Sequence, residues 1–391
     1  MSDGTLQTLD VTMLDDVNNA SGLIQLDSNA KIPACSGAAI TGLSSVTKNA
    51  SDPVIATNPS GGVGTVWQNT TSGEMYICTD ATAGENVWIN IGEGSGDVEP
   101  FTPGGTQYGF CSSGYSAGGG RLNVIERYSF TTDGNSADYA DLTRSQDACT
   151  GTNSKTYGYT SGGESPKVDV IDKFPFASAS NATDVGNLTV GRSKAAGNSS
   201  PQSYGYISGG EVPANSNIID KHSFTSDGNA SDVGNLTVAR ANTAGAGSAD
   251  YGYTHGGGTS PFYDVIDKFP YASDSNAADV GNLLTATKST AGHSSSTHGY
   301  VSGDYRAASN FYNTIQKYTF ASDNNSTDVG NLTGAKGNLA GTSSLTFGYT
   351  HGGWDNSYFD VIDKHSFTSD GNATDIGNLI DGKFNPAGQS Y

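Results

Sequence analysis

The sequence predicts an all-β protein whose last three quarters are a row of similar four-stranded sheets. A phrase of the form Tyr-Gly-Tyr-x-x-Gly-Gly…Val-Ile-Asp-Lys…Asp-Val-Gly-Asn-Leu recurs, and its Gly-aromatic landmark returns every 47 to 49 residues. Strict recurrence at this period is typical of a repeat architecture. The composition agrees, because Gly (53) and Tyr (20) are abundant beside Ser, Thr, Asn and Asp. This mixture favours strands and tight turns over helices.

The landmark occurs six times, and each occurrence opens the same series of strands. It falls at Gly109-Phe110, Gly158-Tyr159, Gly205-Tyr206, Gly252-Tyr253, Gly299-Tyr300 and Gly348-Tyr349. Alternating apolar and polar residues predict four strands in each repeat, exemplified by residues 291–295, 251–255, 264–269 and 232–236. Four strands in about 47 residues match one blade of a β-propeller. One blade cannot bury both of its faces, so the blades are expected to stack into a six-bladed ring.

The two ends of the repeat array are complementary. Residues 385–391 resemble only the first strand of a further repeat, whereas the first repeat, which begins near Thr106, has no good copy of that strand. We therefore expect the C-terminal strand to pair into the first repeat, which would remove an open sheet edge.

Three zones divide the chain. Residues 1–52 hold two short apolar patches, 6–14 and 22–32, which are too small to form a core alone. Residues 53–98 contain three alternating runs, 65–69, 74–78 and 86–91, which predict a small antiparallel meander. A linker over 92–104 leads into the propeller, which we assign to residues 99–391.

Charge excludes some classes of partner. The chain of 391 residues carries 39 acidic and 19 basic groups, for a net charge of −20. Binding to nucleic acid or to anionic lipid needs clustered Lys or Arg, so neither is expected. No apolar run is long enough for a membrane span, and no secretory signal is recognisable. The four cysteines are scattered, without the spacing of a zinc site or a disulfide framework, and we expect reduced thiols.

The double glycine after an apolar strand, followed by an aromatic-bearing strand, resembles the kelch motif. It stands at Gly162-Gly163, Gly209-Gly210, Gly256-Gly257 and Gly352-Gly353. Two features depart from kelch: the fifth repeat reads Ser302-Gly303-Asp304, and leucine replaces the kelch tryptophan at Leu188, Leu236, Leu283, Leu332 and Leu379. The resemblance implies a kelch-like propeller, but not membership of the ubiquitin-ligase-adaptor branch.

The front of the chain carries a second resemblance. Residues 22–34 resemble a segment common in bacteriophage tail-fibre proteins, and residues 65–89 resemble a small fibre-associated module. Together they imply a virion tail appendage, made in the host cytoplasm, with residues 1–52 serving for attachment and oligomerisation. The N-terminal segment would contact other tail or baseplate proteins and form a homo-oligomer, with a trimer favoured. The propeller would bind a host-surface glycan or protein.

Two groups of residues could suggest metal binding, but both have simpler explanations. His255 and His351 occupy positions held elsewhere by serine, and His222 and His365 positions held by phenylalanine, so packing roles are favoured over ligation. The Asp-Gly-Asn-x-x-Asp phrase could hold Ca²⁺. A turn, with Gly at positive φ and Asn tolerating the left-handed region, is favoured instead. We expect no cofactor and no metal.

A basic residue precedes the first strand of every repeat. These residues are Arg144, Arg192, Arg240, Lys288, Lys336 and Lys383, with Arg144 two residues early and Lys288 one residue late. Recurrent acids at Asp172, Asp220, Asp267 and Asp363 suggest a ring of ion pairs between neighbouring blades. A basic ring at the channel mouth that receives an anionic sugar is the alternative.

The loops that follow Gly-Gly differ most between repeats and supply the candidate binding residues. They vary in length and gain aromatic side chains in repeats four to six, as expected for binding loops on a rigid scaffold. Stacking on sugar rings would suit these flat faces beside polar side chains. The predicted binding residues are Phe262, Tyr263, Tyr305, Arg306, Phe311, Tyr312, Trp354, Asp355 and Tyr358. Tyr263 and Phe359 could instead belong to the core.

The expected function is non-enzymatic attachment to a host surface. Capsid decoration without a receptor role is a second hypothesis. A glycan depolymerase or lyase is a third, and it would need carboxylates, or a Tyr/His pair with an Arg, gathered at one rim. No such cluster is evident in the sequence.

Overall fold

The structure is a computed structural model that describes residues 46–91, 104–200, 203–306 and 310–391. Every regular element in these ranges is a β-strand, so the predicted all-β class is confirmed. None of the described residues forms a helix long and apolar enough to cross a bilayer. The chain divides into two compact units, Met1–Pro100 and Phe101–Tyr391. Residues 1–45 of the predicted attachment segment, and most of the predicted linker, lie outside the described residues.

The first unit contains one four-stranded sheet. Its strands are β1 (Thr47–Asn49), β2 (Val66–Asn69), β3 (Met75–Asp80) and β4 (Val87–Asn90), in that order across the sheet. Strands β2 to β4 form the predicted antiparallel meander, whereas β1 pairs in parallel with β2 and was not predicted. Alternation along the strands buries Trp67, Tyr76 and Trp88 on one face.

The described part of the second unit contains six sheets of four or more strands, which we name R1 to R6 in the order of the repeats, and one two-stranded sheet. R1 is formed by β5 (Tyr108–Ser112), β6 (Tyr115–Ser116), β7 (Gly120–Ser129) and β8 (Ala137–Gln146), together with two C-terminal strands given below. R2 is formed by β9 (Thr150–Asn153), β10 (Tyr157–Ser161), β11 (Val170–Pro175) and β12 (Thr183–Asn187). R3 is formed by β13 (Ala196–Ser199), β14 (Tyr204–Ser208), β17 (Ile218–Ser223) and β18 (Ser231–Asn235), with a small hairpin of β15 (Glu211–Val212) and β16 (Ala214–Asn215).

The remaining sheets repeat this order. R4 is formed by β19 (Ala244–Gly247), β20 (Tyr251–His255), β21 (Tyr263–Pro270) and β22 (Ala278–Thr287). R5 is formed by β23 (Ala291–Ser294), β24 (His298–Arg306), β25 (Asn310–Thr319) and β26 (Thr327–Asn331). R6 is formed by β27 (Ala340–Ser343), β28 (Phe347–His351), β29 (Val361–Ser366) and β30 (Thr374–Asn378). The chain ends with β31 (Lys383–Phe384) and β32 (Ala387–Ser390).

The C-terminal strand closes the array as predicted. β32 pairs antiparallel with β5, with Ala387 opposite Ser112, so it supplies the first strand that R1 lacks. The first strands of the sheets then follow one another in a closed series, β9-β13-β19-β23-β27-β32 and back to β9. This arrangement is propeller-like.

The register gives the unit two faces. In R4, Ala244 at the start of the first strand lies opposite His255, which directly precedes the Gly-Gly pair. The loops after Gly-Gly and the segments that link successive sheets therefore share one face, which we call the Gly-Gly face. The hairpin turns lie at the other ends of the strands, on the turn face. The chain enters the unit on the turn face, where the Gly105 N–H donates to the Ser343 carbonyl over 2.8 Å.

A ring of glycines lies where the first strands meet. The ring comprises Gly151, Gly197, Gly245, Gly292, Gly341 and Gly388, and a Cβ on any one of them would overlap the carbonyl oxygen of its neighbour in the ring. The strands approach so closely that only glycine fits at this level. Each repeat therefore needs a glycine at the second residue of its first strand.

A second ring is formed by backbone hydrogen bonds at the Gly-Gly face. In each segment between sheets one residue adopts left-handed backbone with φ from 54° to 61°, and its N–H donates to the carbonyl of its counterpart in the preceding repeat over 2.7–3.0 Å. The six residues are Ala148, Lys194, Asn242, Ser289, Asn338 and Asn385, and the Ala148 N–H donates to Asn385, so the ring is closed. Left-handed backbone is uncommon for non-glycine residues and persists where its surroundings fix it.

Aromatic rings pack over the glycine of each Tyr-Gly-Tyr phrase. In R4, Gly252 lies opposite Phe269, whose ring occupies the space that a Cβ would need. His222 and His365 take the same position in R3 and R6, which is the packing role predicted for them. The leucines that replace the kelch tryptophan are 3–4% exposed and pack beneath the first glycine of the Gly-Gly pairs.

The Asp-Gly-Asn turns join neighbouring sheets, which corrects the expectation that they serve only as local turns. Asn229 is not left-handed; its Oδ1 accepts the Asn187 N–H of the preceding sheet over 3.0 Å. Asp227 pairs with Lys173 of the preceding sheet over 2.7 Å. Equivalent Lys–Asp pairs are Lys221–Asp274, Lys268–Asp323, Lys317–Asp370 and Lys364–Asp133. A calcium ion is therefore not needed to explain these carboxylates.

The predicted ring of buried ion pairs forms in four of the six repeats. The pairs are Arg192–Asp220, Arg240–Asp267, Lys336–Asp363 and Lys383–Glu126. Arg144 and Lys288 do not take part, because Gln146 and Thr287 occupy the equivalent positions before the ring glycine. Asp172 is left with hydrogen bonds from Thr143, and burial raises the pKa of its carboxyl.

The glycine ring predicts that two glycine-to-alanine substitutions differ strongly in their effect on the free energy of unfolding. Gly245→Ala should lower the free energy of unfolding by about 1–3 kcal/mol or more, because the added methyl overlaps a backbone oxygen that cannot move independently. Gly120→Ala is the matched control, since no heavy atom lies within 4 Å of its added Cβ. Urea unfolding of the two variants measures the difference. Equal stabilities would contradict the close approach of the first strands.

Candidate functional site

The Gly-Gly pair positions the variable loops. The first glycine has φ from 61° to 69° in R2 to R6, and Ser113 takes the same conformation in R1 with φ 63°. In R1 to R4 and in R6 this left-handed residue ends the second strand and directs the chain onto the Gly-Gly face. In R5 the second glycine is replaced by Asp304, and β24 continues through it to Arg306. The departure noted in the sequence thus lengthens one hairpin and leaves the arrangement of sheets unchanged.

The residue directly after each pair forms a third ring, which we call the loop-entry ring. It consists of Tyr115, Glu164, Glu211, Gly258, Tyr305 and Trp354, in the order R1 to R6. The backbone of each is hydrogen-bonded to the segment that links the preceding sheet to its own sheet. Trp354 and Gly337 exchange N–H···O bonds of 2.8 and 3.1 Å, and Tyr305 and Lys288 exchange bonds of 3.0 and 3.2 Å. The side chains of the ring are therefore held on a fixed backbone.

The aromatic members of this ring belong to a continuous row of side chains, which we call the aromatic strip. The strip comprises Phe262, Tyr305, Phe311, Trp354, Tyr358, Phe384 and Tyr115, contributed by R4, R5, R6 and R1. The row runs Phe262, Tyr305, Phe311, Trp354, Phe384, Tyr115, with Tyr358 beside Phe384, and the contacting ring centroids lie 5.0–6.3 Å apart. Tyr358 is 37% exposed, and the other members are half-buried. Such spacing leaves edges and parts of faces available for a ligand.

The structure brings together five of the nine predicted binding residues: Phe262, Tyr305, Phe311, Trp354 and Tyr358. Tyr263 and Tyr312 instead hold framework positions. The Tyr263 N–H donates to the Gly257 carbonyl, and the Tyr312 carbonyl accepts the Lys336 N–H. Arg306 lies 3.9 Å from the Tyr312 ring and pairs with Asp304 over 2.8 Å. Asp355 accepts the Ser357 N–H within a tight turn.

Tyr115 and Phe384 belong to the strip but were not predicted. Tyr115 follows Ser113-Gly114 as Trp354 follows Gly352-Gly353, so aligning the first repeat without requiring two glycines would have found it. Phe384 lies in β31, which pairs with β6 and places the two rings 5.5 Å apart. No local signal marks Phe384, because the C-terminal segment reaches R1 only when the ring closes.

The opposite half of the loop-entry ring is charged. Lys194 pairs with both Glu164 and Glu211, over 2.9 and 3.1 Å, and Lys167 pairs with Glu211 over 3.0 Å. Arg121 pairs with Asp147 over 2.6 Å. The Gly-Gly face is thus divided into an aromatic half over R4 to R1 and an ion-paired half over R1 to R3.

The histidines lie mainly in the interior. His255 and His351 are fully buried with no hydrogen-bond partner for either ring nitrogen, whereas His293 contacts Thr342 and Thr350. Burial lowers the pKa of His255 and of His351 to about 3, and that of His293 to about 4. Within the described ranges, His, Cys, Asp and Glu form no group that could hold a metal ion. Cys78, Cys111 and Cys149 are buried free thiols, and Cys35 lies outside the described residues.

Comparison of the chain with models of known protein families found no match, and a search of curated proteins also found none. The interpretation of the Gly-Gly face therefore depends on its geometry and on the resemblances in the sequence.

The buried histidines predict a loss of stability in mild acid. Their pKa values are depressed on folding, so below their usual value of about 6.5 the unfolded chain binds protons that the folded chain excludes. Stability should fall as pH drops from about 6.5 towards 3, by up to about 1.4 kcal/mol per pH unit for each histidine. His293 and Arg240 near His255, and His293, Lys336 and Lys383 near His351, add to the effect.

The double variant His255→Ser/His351→Ser isolates this contribution, because serine occupies the same position in R2 and R3. Unfolding free energies measured from pH 7 to pH 4 should depend less steeply on pH in the variant than in the natural protein. Equal slopes would mean that these histidines do not control acid stability.

Proposed function

We propose that the chain is a virion protein, a phage tail fibre or related appendage, whose six-bladed kelch-like propeller binds a receptor on the host surface, with a glycan favoured. The observation that carries this proposal is the aromatic strip, which collects side chains from four sheets on one face of a rigid unit. Aromatic side chains with a few polar neighbours are typical of small-molecule and sugar sites. The closed series of first strands supports the six-bladed arrangement.

The entry point of the chain agrees with this function. Residues 104–108 run along the turn face, where the Gln107 and Tyr108 N–H groups both donate to the Tyr391 carbonyl. The aromatic strip lies at the opposite ends of the strands. We propose that residues 1–52 serve for attachment, as a homo-oligomer with a trimer favoured.

The carboxylates of the Gly-Gly face favour binding over catalysis. Asp147, Glu164, Glu211 and Asp304 each pair with a lysine or arginine, and Asp355 accepts the Ser357 N–H. A glycan-degrading site would instead use one carboxyl as an acid and another as a base or nucleophile across the scissile bond. Capsid decoration remains the second candidate, and immunogold labelling of intact particles with antibody against residues 104–391 separates the two. Label at the tail supports the appendage, and label over the whole head supports decoration.

Alanine substitution in the strip tests receptor binding directly. Trp354→Ala and Tyr305→Ala in the full chain should each weaken binding to host cells by about tenfold or more, because central aromatic anchors often contribute on the order of 2 kcal/mol. Tyr251→Ala is the matched control, since Tyr251 is an aromatic residue with 38% exposure at the turn-face end of β20. Binding is measured by flow cytometry with labelled protein. Equal losses for all three variants, or none, would contradict a role for the strip.

A further inference from the structure

Lys288 differs from the other basic residues that precede the first strands. In four repeats the residue five positions before the ring glycine is a buried Arg or Lys paired with an acid. In R5 that position is Thr287, and the acid is replaced by Gln316. The Gln316 Oε1 accepts the Leu284 N–H over 2.9 Å and the Ser326 hydroxyl over 2.8 Å. Gln316 is therefore hydrogen-bonded without a buried cation, and Lys288 takes no part in the ring of buried ion pairs.

Lys288 lies instead on the aromatic strip. Its Nζ is 4.7 Å from the centre of the Phe262 ring and 5.1 Å from that of Tyr305. Hydrogen bonds in both directions between Lys288 and Tyr305 fix the backbone beneath it. The ammonium group thus lies against two aromatic faces at one end of the strip.

No carboxylate among the described residues pairs with Lys288, whereas Lys167 and Lys194 on the same face pair with glutamates. Burial lowers the pKa of Lys288, and proximity to Lys194 lowers it further. An external anion at this point would offset both effects, since an opposite charge favours the protonated amine.

The chemistry of the site selects one class of ligand. Aromatic faces bind the apolar face of a pyranose ring, and a half-buried ammonium binds a carboxylate at close range. With a net charge of −20 the chain repels anions at long range. Preference for an acidic sugar must therefore come from local contacts with the ligand.

We propose that the aromatic strip binds a carboxylate-bearing sugar of the uronic-acid class, with the sugar ring packed against the strip beside Lys288 and the carboxylate paired with Lys288. This inference rests on the proposed receptor-binding function and narrows its ligand.

The test uses the full chain and a panel of uronic-acid oligosaccharides, galacturonate, glucuronate and mannuronate, each compared with its own methyl ester. Calorimetry is run in the presence of EDTA, so that divalent cations do not bridge acidic groups. The natural protein should bind at least one acid about tenfold more tightly than its ester. Lys288→Gln should abolish that preference and Lys288→Arg should largely retain it. Lys268→Gln is the control, because Lys268 pairs with Asp323 away from the strip.

Thermal unfolding confirms that each variant is folded before binding is interpreted. Equal affinity for acid and ester, or an acid preference that survives Lys288→Gln, would overturn the carboxylate assignment. Binding to host cells with no affinity for any member of the panel would also overturn it, while the receptor-binding function would stand. Failure of the natural protein to bind both cells and sugars would overturn the two proposals together.

Discussion

Closure of the six sheets at their first strands is the constraint on which the rest of the structure depends. The glycine ring lets neighbouring strands approach until a backbone carbonyl fills the space of a side chain. The backbone ring at the Gly-Gly face adds one hydrogen bond per repeat, and its last bond joins Ala148 to Asn385. β32 comes from the end of the repeat array and β5 from its start. Neither ring can therefore be complete until these two strands meet. Local folding of one repeat is therefore not sufficient to form the site.

Closure of the array also determines which side chains meet on the Gly-Gly face. Tyr115 of R1 meets Phe384 only because β31 returns to β6, and this contact joins the first and last repeats in the aromatic strip. Each loop-entry residue is hydrogen-bonded to the preceding linking segment, so its side chain is oriented before any ligand arrives. Preorganisation of this kind reduces the ordering cost of binding. The repeats thus share one arrangement of strands, while the face that they form is aromatic on one side and ion-paired on the other.

The sequence predicts the framework well because the framework repeats. The repeat period, the alternation of apolar and polar residues and the turn residues are sufficient to predict four strands per repeat and the strand that closes the array. Contacts between repeats were harder to predict, since they depend on the distance between sheets. No local sequence signal marks the Asn229 cap on Asn187 or the left-handed backbone at Ala148 and Lys194. Each of these features depends on a contact with the neighbouring repeat. The basic character of Arg144 and Lys288 predicts that both belong to the ring of ion pairs. Arg144 lies two residues before the equivalent position and Lys288 one residue after it, so neither takes part. The members of the aromatic strip were predicted in part, since variability marks Tyr305 and Trp354 but not Phe384.

The most direct test of closure is the native-state hydrogen exchange of the six amides in the backbone ring. If the ring is closed, the amides of Ala148, Lys194, Asn242, Ser289, Asn338 and Asn385 should exchange at similar, slow rates, through an opening as costly as global unfolding. Mass spectrometry of proteolytic fragments resolves the seam amide, at Ala148, from the other five. Exchange at the seam that is faster by orders of magnitude would mean that the array is open between R6 and R1, and would contradict this account of how the aromatic strip is assembled.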